Sequence, residues 1–246
     1  MMNEHNTVEK MRRMRMNAMA ALYHRSISEH LYQDYSQDNF LSLLIDTEWE
    51  SRESRNIENL IHQAGFKQQA SAANIDYTAQ RNLDRTAFER LLSLNFITRR
   101  ENIIITGPTG VGKSVIAQSI GVKACQLLHK TLYYNSARFF DLAKLAKLDG
   151  SYHKLVKKLQ RTPLLILDDF GLVSMDQHAR NVLMDVIEER HEKSSTIIAT
   201  QIPVAKWHGL IGENTIADAI LDRIVFSSHR IELDGESLRK KKQLSS

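Results

Sequence analysis

The chain has 246 residues, 42% of them hydrophobic and 25% charged, which is globular composition with room for one large domain and a small one. No apolar run reaches the length of a bilayer span, which argues against a membrane partner, and the first thirty residues hold no signal-like apolar core. Cys125 is the only cysteine, so no internal disulfide can form and a cytoplasmic setting is expected, while the ten histidines show no Cys/His spacing for zinc. The net charge is only +4 but it is segregated. Residues 10–25 carry +5, residues 136–161 carry +5, the last twelve carry +3, and the remainder is acidic. Such segregation is either the footprint of a polyanion or three solvated faces.

In chain order, residues 1–75 read as helical. Val8, Met11, Met14, Ala18 and Ala21 recur at helical spacing, as do Phe40, Leu43 and Leu44. Residues 49–64 are rich in helix formers, and Gly65 stands where a C-terminal cap belongs. Residues 68–74 are small and polar and read as a linker. The expected division is therefore a helical domain over 1–75 and a larger domain over 76–246. Asp84 is a candidate N-cap for a helix through Phe88, Leu91 and Leu92. From Glu101 onward strands and helices alternate. Strands are expected at 103–106, 131–134, 164–167, 196–199 and 230–233. Helices are expected from the first strand to about 128, in two basic segments after the second strand, at 177–193 and at 217–224. Apolar strands alternating with helices predict an α/β fold, a parallel sheet covered on both faces.

Residues 107–114, Gly107-Pro108-Thr109-Gly110-Val111-Gly112-Lys113-Ser114, match G-x-x-x-x-G-K-[ST] without a mismatch, between a strand-like and a helix-like run. That setting makes the run a phosphate cradle. The glycines let backbone N–H groups turn inward, Lys113 reaches the β/γ-phosphates, and the Ser114 hydroxyl binds Mg²⁺. Leu164-Leu165-Ile166-Leu167 ends in Asp168-Asp169. Asp168 is the candidate for orienting the Mg²⁺ shell and Asp169 for the general base that polarises water. The strand at 196–199 ends in Thr200-Gln201. Either residue could sense the γ-phosphate or hold the attacking water, or merely cap its own loop, and Gln201 is the preferred candidate. Arg223 lies in an apolar helical stretch. It is either ion-paired with Asp218 or Asp222 or supplied in trans to a neighbour's γ-phosphate, with Arg180 and Arg190 as competing candidates. No Asn-Lys-x-Asp guanine-reading motif occurs, which favours ATP. Lys154, Lys157, Lys158 and Arg161 follow i, i+3, i+4, i+7 spacing, so one helical face carries all four. Lys144 and Lys147 belong to the same basic stretch.

Residues 107–114, 164–169, 200–203, 217–223 and 235–239, together with the Thr47-Glu48-Trp49-Glu50-Ser51-Arg52-Glu53 stretch, resemble the IstB family, AAA+ helper ATPases encoded beside an insertion-sequence transposase. The resemblance covers almost the whole chain. It implies an AAA+ core of the initiator clade, close to the DnaC-type loaders and without a C-terminal lid. It also implies ATP-dependent binding and bending of duplex DNA, multimers formed on that DNA, and stimulation of a partner transposase. The 136–161 region, with Lys144, Lys147, Lys154, Lys157, Lys158 and Arg161, then falls where the clade lines DNA. Arg223 falls at the arginine-finger position and Arg239 near a sensor position. Two departures stand out: Asp169 where Glu is common, and Leu238 where Tyr is common. A helicase loader that binds single-stranded DNA is the alternative within the same fold.

Overall fold

The computed structural model describes residues 2–68, 70–77 and 81–238. Contacts divide the chain into two units, Met1–Asn59 and Leu60–Ser246. In the first, α1 (Met2–Arg13) and α2 (Asn17–Ser28) are followed by a 3-10 turn (Leu31–Asp34) and α3 (Gln37–Ala64). The apolar period at 8–21 does not make one helix, because Arg15 adopts φ +61° and the chain turns between α1 and α2. Glu48, 5% exposed, closes the start of α2. Its carboxylate accepts the Ala18 and Met19 N–H groups at 2.9 and 3.2 Å and pairs with Arg52 at 2.8 Å. Burial alone would raise the Glu48 pKa, but the bonds from Arg52 and the two N–H groups hold it below the usual value.

The unit boundary lies inside α3 rather than near residue 75. Gly65, at φ +76°, ends that helix. Within the expected linker, of which residue 69 lies outside the described residues, Ala70 is buried and Ser71 caps a short turn at Ala72–Asn74, and Ile75 just beyond it is buried as well. Ile75 belongs to the core of the larger unit and Phe66 packs against that core, so the segment is part of that unit.

The larger unit continues with α4 (Arg85–Leu92), whose start is capped by the Asp84 carboxylate accepting the Thr86 and Ala87 N–H groups. Next come α5 (Asn95–Arg99), β1 (Asn102–Thr106), α6 (Lys113–Gln126), β2 (Thr131–Asn135), α7 (Ser136–Leu148) and α8 (Tyr152–Gln160). Then come β3 (Leu164–Phe170), α9 (Gln177–Arg190), β4 (Ser195–Thr200), α10 (Trp207–Ile211), α11 (Asn214–Val225) and β5 (Ser228–Glu232). The five strands pair in parallel in the order β2-β3-β4-β1-β5.

Alternate residues of each central strand feed two apolar layers. Ile103, Ile105, Leu164, Ile166 and Ile197 face one layer, with Ile116 and Ile120 of α6. Ile104, Leu165, Leu167 and Ile198 face the other, with Phe139, Val182 and Ile220. Burial on both faces is why these strands read as continuous apolar runs. Strand order jumps from β1 to β4, and the C-terminal edge of the sheet beside that jump is where open α/β sheets take ligands.

Candidate nucleotide site

The loop 107–112 leaves β1 and delivers the chain to the first turn of α6. Gly107, Gly110 and Gly112 have φ of +147°, +86° and +101°. At Gly107 and Gly110 the absence of a side chain has a second cause. A Cβ on Gly107 would lie 2.3 Å from the Leu233 carbonyl oxygen, and one on Gly110 would lie 2.1 Å from Ser237 Oγ. The segment after β5 thus runs against the loop, and the Leu238 N–H donates to the Gly110 carbonyl at 3.0 Å. Val111 is fully buried as the loop's anchor, and its carbonyl accepts from Arg81 Nη1 at 3.3 Å. Pro108 and Thr109 are exposed.

Lys113, 8% exposed, donates from Nζ to the Pro108 carbonyl at 2.7 Å, so its ammonium folds back over the loop it closes. The Ser114 hydroxyl donates to Asp168 Oδ1 at 3.0 Å, tying the first turn of α6 to the end of β3. Asp168 is 1% exposed. It also accepts from the Tyr133 hydroxyl at 2.5 Å and from the Asp169 N–H at 2.9 Å. Burial, then the bond to Asp168, pushes the Tyr133 phenol well above its usual pKa, so it stays a donor.

β3 runs on past Leu167 to Phe170, with a shift in its register against β4 at Leu167/Phe170. Asp169 sits in that irregular step at φ +57°, a conformation rare for a side chain other than Gly, Asn or Asp. Its Oδ2 accepts from Asn135 Nδ2 at 2.8 Å and pairs with Lys67 Nζ at 3.3 Å.

At the end of β4 the two candidates separate. Thr200 is fully buried, donates to the Phe170 carbonyl at 2.7 Å and accepts the Ile202 N–H at 3.0 Å, so it fastens its own turn. Gln201 Oε1 accepts from the Thr109 hydroxyl at 2.6 Å and so faces the phosphate loop.

The three arginines differ as sharply. Arg223 pairs with Glu188 of α9 at 2.6 Å, not with Asp218 or Asp222, and keeps a quarter of its side chain exposed. Arg180 donates to the Met175 carbonyl at 3.0 Å. Arg190 is 2% exposed and spends its guanidinium on the Leu159, Thr162 and Ser195 carbonyls and Thr196 Oγ1. Arg239 lies outside the described residues. On α7 and α8, Lys144, Lys147, Lys154, Lys157 and Lys158 are exposed, as is Arg161 just beyond α8. Lys147 Nζ lies 4.6 Å over the Tyr152 ring.

The cradle suits a nucleotide triphosphate with Mg²⁺. Three glycines with positive φ bend the loop before a fourteen-residue helix whose positive end meets it. Among the described residues no group of three or more His, Cys, Asp or Glu could hold a metal. One hydroxyl and one carboxylate held together are instead the protein share expected of Mg²⁺, which takes its other oxygens from phosphates and water.

Lys67, Tyr133, Asn135 and Gln118 are site residues that no motif in the sequence singles out. Asn135 was within reach of a register argument, since the parallel pairing of β2 with β3 sets it opposite Asp168. The sequence carries no comparable signal for Lys67.

A sequence model of the family described as IstB-like ATP binding protein matches residues 9–246. The chain belongs to that family. A relative from Sinorhizobium fredii, described as an insertion sequence ATP-binding protein, is 40% identical to this IstB-like chain over 242 residues, 98% of this chain and 99% of the relative. One from Pseudomonas aeruginosa, with a like description, is 29% identical over 231 residues, 94% of this chain and 87% of its own length. Among solved structures, DnaI superposes with a TM-score of 0.55 at 18% identity, covering 72% of this chain and 93% of DnaI. The initiator DnaA bound to AMPPCP and single-stranded DNA gives 0.57 at 16% identity, covering 74% and 56%. At such identity these likenesses establish the fold, the P-loop AAA+ core that the IstB resemblance implies. Among the described residues no helix is long and apolar enough to cross a membrane.

Proposed function

We propose that this IstB-like protein is an ATP-driven, DNA-binding helper that assembles on duplex DNA and stimulates a partner transposase during insertion-sequence transposition. Membership of a family whose relatives are described as insertion sequence ATP-binding proteins supports the setting. The observation that carries the chemistry is the Ser114–Asp168 contact of 3.0 Å, which joins the phosphate cradle to the acidic end of β3. In this reading the N–H groups of 107–114 and the Lys113 ammonium hold the β- and γ-phosphates. Ser114 and Asp168 hold Mg²⁺, which when bound neutralises charge that develops on the phosphoryl oxygens. Asp169 takes a proton from the attacking water as the bond to the leaving ADP breaks, giving ADP and phosphate. Gln201 orients that water from the far side of the loop. Arg223 reaches a neighbouring subunit's γ-phosphate, which requires leaving Glu188. The cationic face of α7 and α8 follows DNA phosphates, and the helical N-terminal unit meets DNA or the transposase.

Lys113→Ala is expected to abolish ATP binding, whereas Asp169→Asn keeps binding and lowers turnover. Nucleotide affinity and steady-state hydrolysis, measured side by side, separate the two. Parent-like hydrolysis by Asp169→Asn would remove the base from this scheme. Strong preference for single-stranded over duplex DNA would turn the reading toward a helicase loader.

A further inference from the structure

The segment between α3 and Ile75 brings a cation to the acidic end of β3. Gly65 closes α3, and Phe66 then packs across Gly121 of α6, where a Cβ would meet its ring at 2.8 Å, and beside Tyr133 with ring centroids 6.1 Å apart. The N–H groups of Lys67 and Gln68 both donate to Gln118 Oε1, at 2.8 and 3.3 Å. Gln118, fully buried on α6, donates in turn to the Ser114 carbonyl at 3.0 Å. The segment is therefore fastened to the same turn of helix that begins with Lys113 and Ser114. From that anchorage Lys67 Nζ reaches Asp169 Oδ2 at 3.3 Å and lies 5.9 Å from the centre of the Tyr133 ring.

We infer that Lys67 is a positioning residue for ATP hydrolysis, holding Asp169 in the orientation in which it meets the attacking water. The inference rests on the reading of Asp169 as base. An aspartate in a left-handed conformation has a short arm whose direction depends on its contacts, and such conformations persist only where the surroundings over-determine them. Asn135 fixes Oδ2 from β2, and Lys67 fixes the same oxygen from the opposite run of chain. Both contacts fall on Oδ2, and the Asp169 side chain keeps 32% of its surface exposed, so water can reach the carboxylate. The shorter side chain at this position makes that anchoring matter more, because a misplacement of about 1 Å can cost on the order of a hundred-fold in rate. Lys67 keeps 45% of its side chain exposed, so its replacement leaves the core intact.

The experiment compares parent, Lys67→Met and Lys67→Arg with duplex DNA and Mg·ATP. Parent turnover is measured first. A parent without turnover defeats the ATPase reading itself, and shows this before any variant is made. Given an active parent, Lys67→Met is expected to lose about ten-fold in kcat, one anchor of two rather than a full displacement. KM for ATP, affinity for a non-hydrolysable analogue and melting temperature stay at parent values. Lys67→Arg, which keeps a cation at that reach, is expected to recover kcat to within about three-fold of the parent. An unchanged or raised kcat in Lys67→Met overturns the inference. So does a loss that appears equally in ATP affinity or melting temperature, since that would make Lys67 a structural contact only.

Discussion

Arg190 tests whether a conspicuous arginine acts on a neighbouring subunit or on its own fold. Its guanidinium donates to the Leu159 and Ser195 carbonyls, to the Thr162 carbonyl at 2.9 Å and to Thr196 Oγ1 at 3.1 Å, at 2% exposure. It thereby joins the end of α8, the start of β4 and the end of α9. Burial pushes its pKa down to about 9, so part of what the bonds contribute is spent on desolvation. Arg190→Met keeps most of the aliphatic volume and takes the guanidinium donors away from three carbonyls. Each buried group left without its partner costs about 1–3 kcal/mol. Leu159 O retains the Thr162 N–H at 3.2 Å, which holds the sum toward about 3 kcal/mol. At roughly 2–4 °C per kcal/mol for a unit of this size, the melting temperature should fall by about 10 °C. Calorimetry or circular dichroism reads that shift, and ATPase assayed well below the transition should persist. Parent-like melting together with lost turnover would refute the argument and make Arg190 a group that acts across a subunit interface.

Arg223→Ala should melt like the parent, since a partly exposed pair such as Arg223–Glu188 is worth at most about 1 kcal/mol, but should lose turnover. Mixing it with Lys113→Ala subunits should restore part of the activity, and full activity of Arg223→Ala alone would end the finger role. Lys157→Ala/Lys158→Ala should lower the salt slope of log K for duplex DNA by roughly 0.9 per lost phosphate contact, about equally on unrelated sequences, and an unchanged slope in a salt titration would leave that face merely solvated. Glu48 has a lowered folded-state pKa, so its contribution is present above its unfolded value and is lost as pH falls through the folded one. Urea melts of the parent should weaken on acidification below about pH 4.5, and Glu48→Gln should be weaker at neutral pH with a flatter acid dependence.

What the sequence disclosed was whatever the local chain dictates. A phosphate loop needs glycines, a lysine and a hydroxyl at fixed offsets between a strand and a helix, so 107–114 was readable from its own residues. Strands buried on both faces must be apolar throughout, so β1, β4 and the Leu164–Leu167 run of β3 were readable too, whereas the edge strand β5, with Ile231 its one buried residue, and the short helices α5 and α10 offer no such run. Three other features were not readable. Apolar spacing continues through Met14 and Ala18, and no period reports the φ of +61° at Arg15 that turns the chain between α1 and α2. Arg190 and Arg223 are equally charged in sequence, and only packing separates the one spent on backbone carbonyls from the one at the surface.

The segment 68–74 is the third, and the instructive case. Small polar residues imply a free linker only when nothing elsewhere claims their backbone donors. Here the claimant is Gln118, fifty residues away, in the run Ile116-Ala117-Gln118-Ser119-Ile120. An amide set among apolar helix residues is buried, and a buried amide needs partners for both its oxygen and its nitrogen. Within its own helix Gln118 can satisfy the nitrogen, and it does so at the Ser114 carbonyl. The oxygen needs donors that an α-helix cannot spare, because its interior N–H groups are already bonded. Some other piece of chain must therefore lie against the first turns of α6, close to the phosphate loop. The chain fills that requirement with Lys67 and Gln68, and the same anchorage puts the Lys67 ammonium on Asp169.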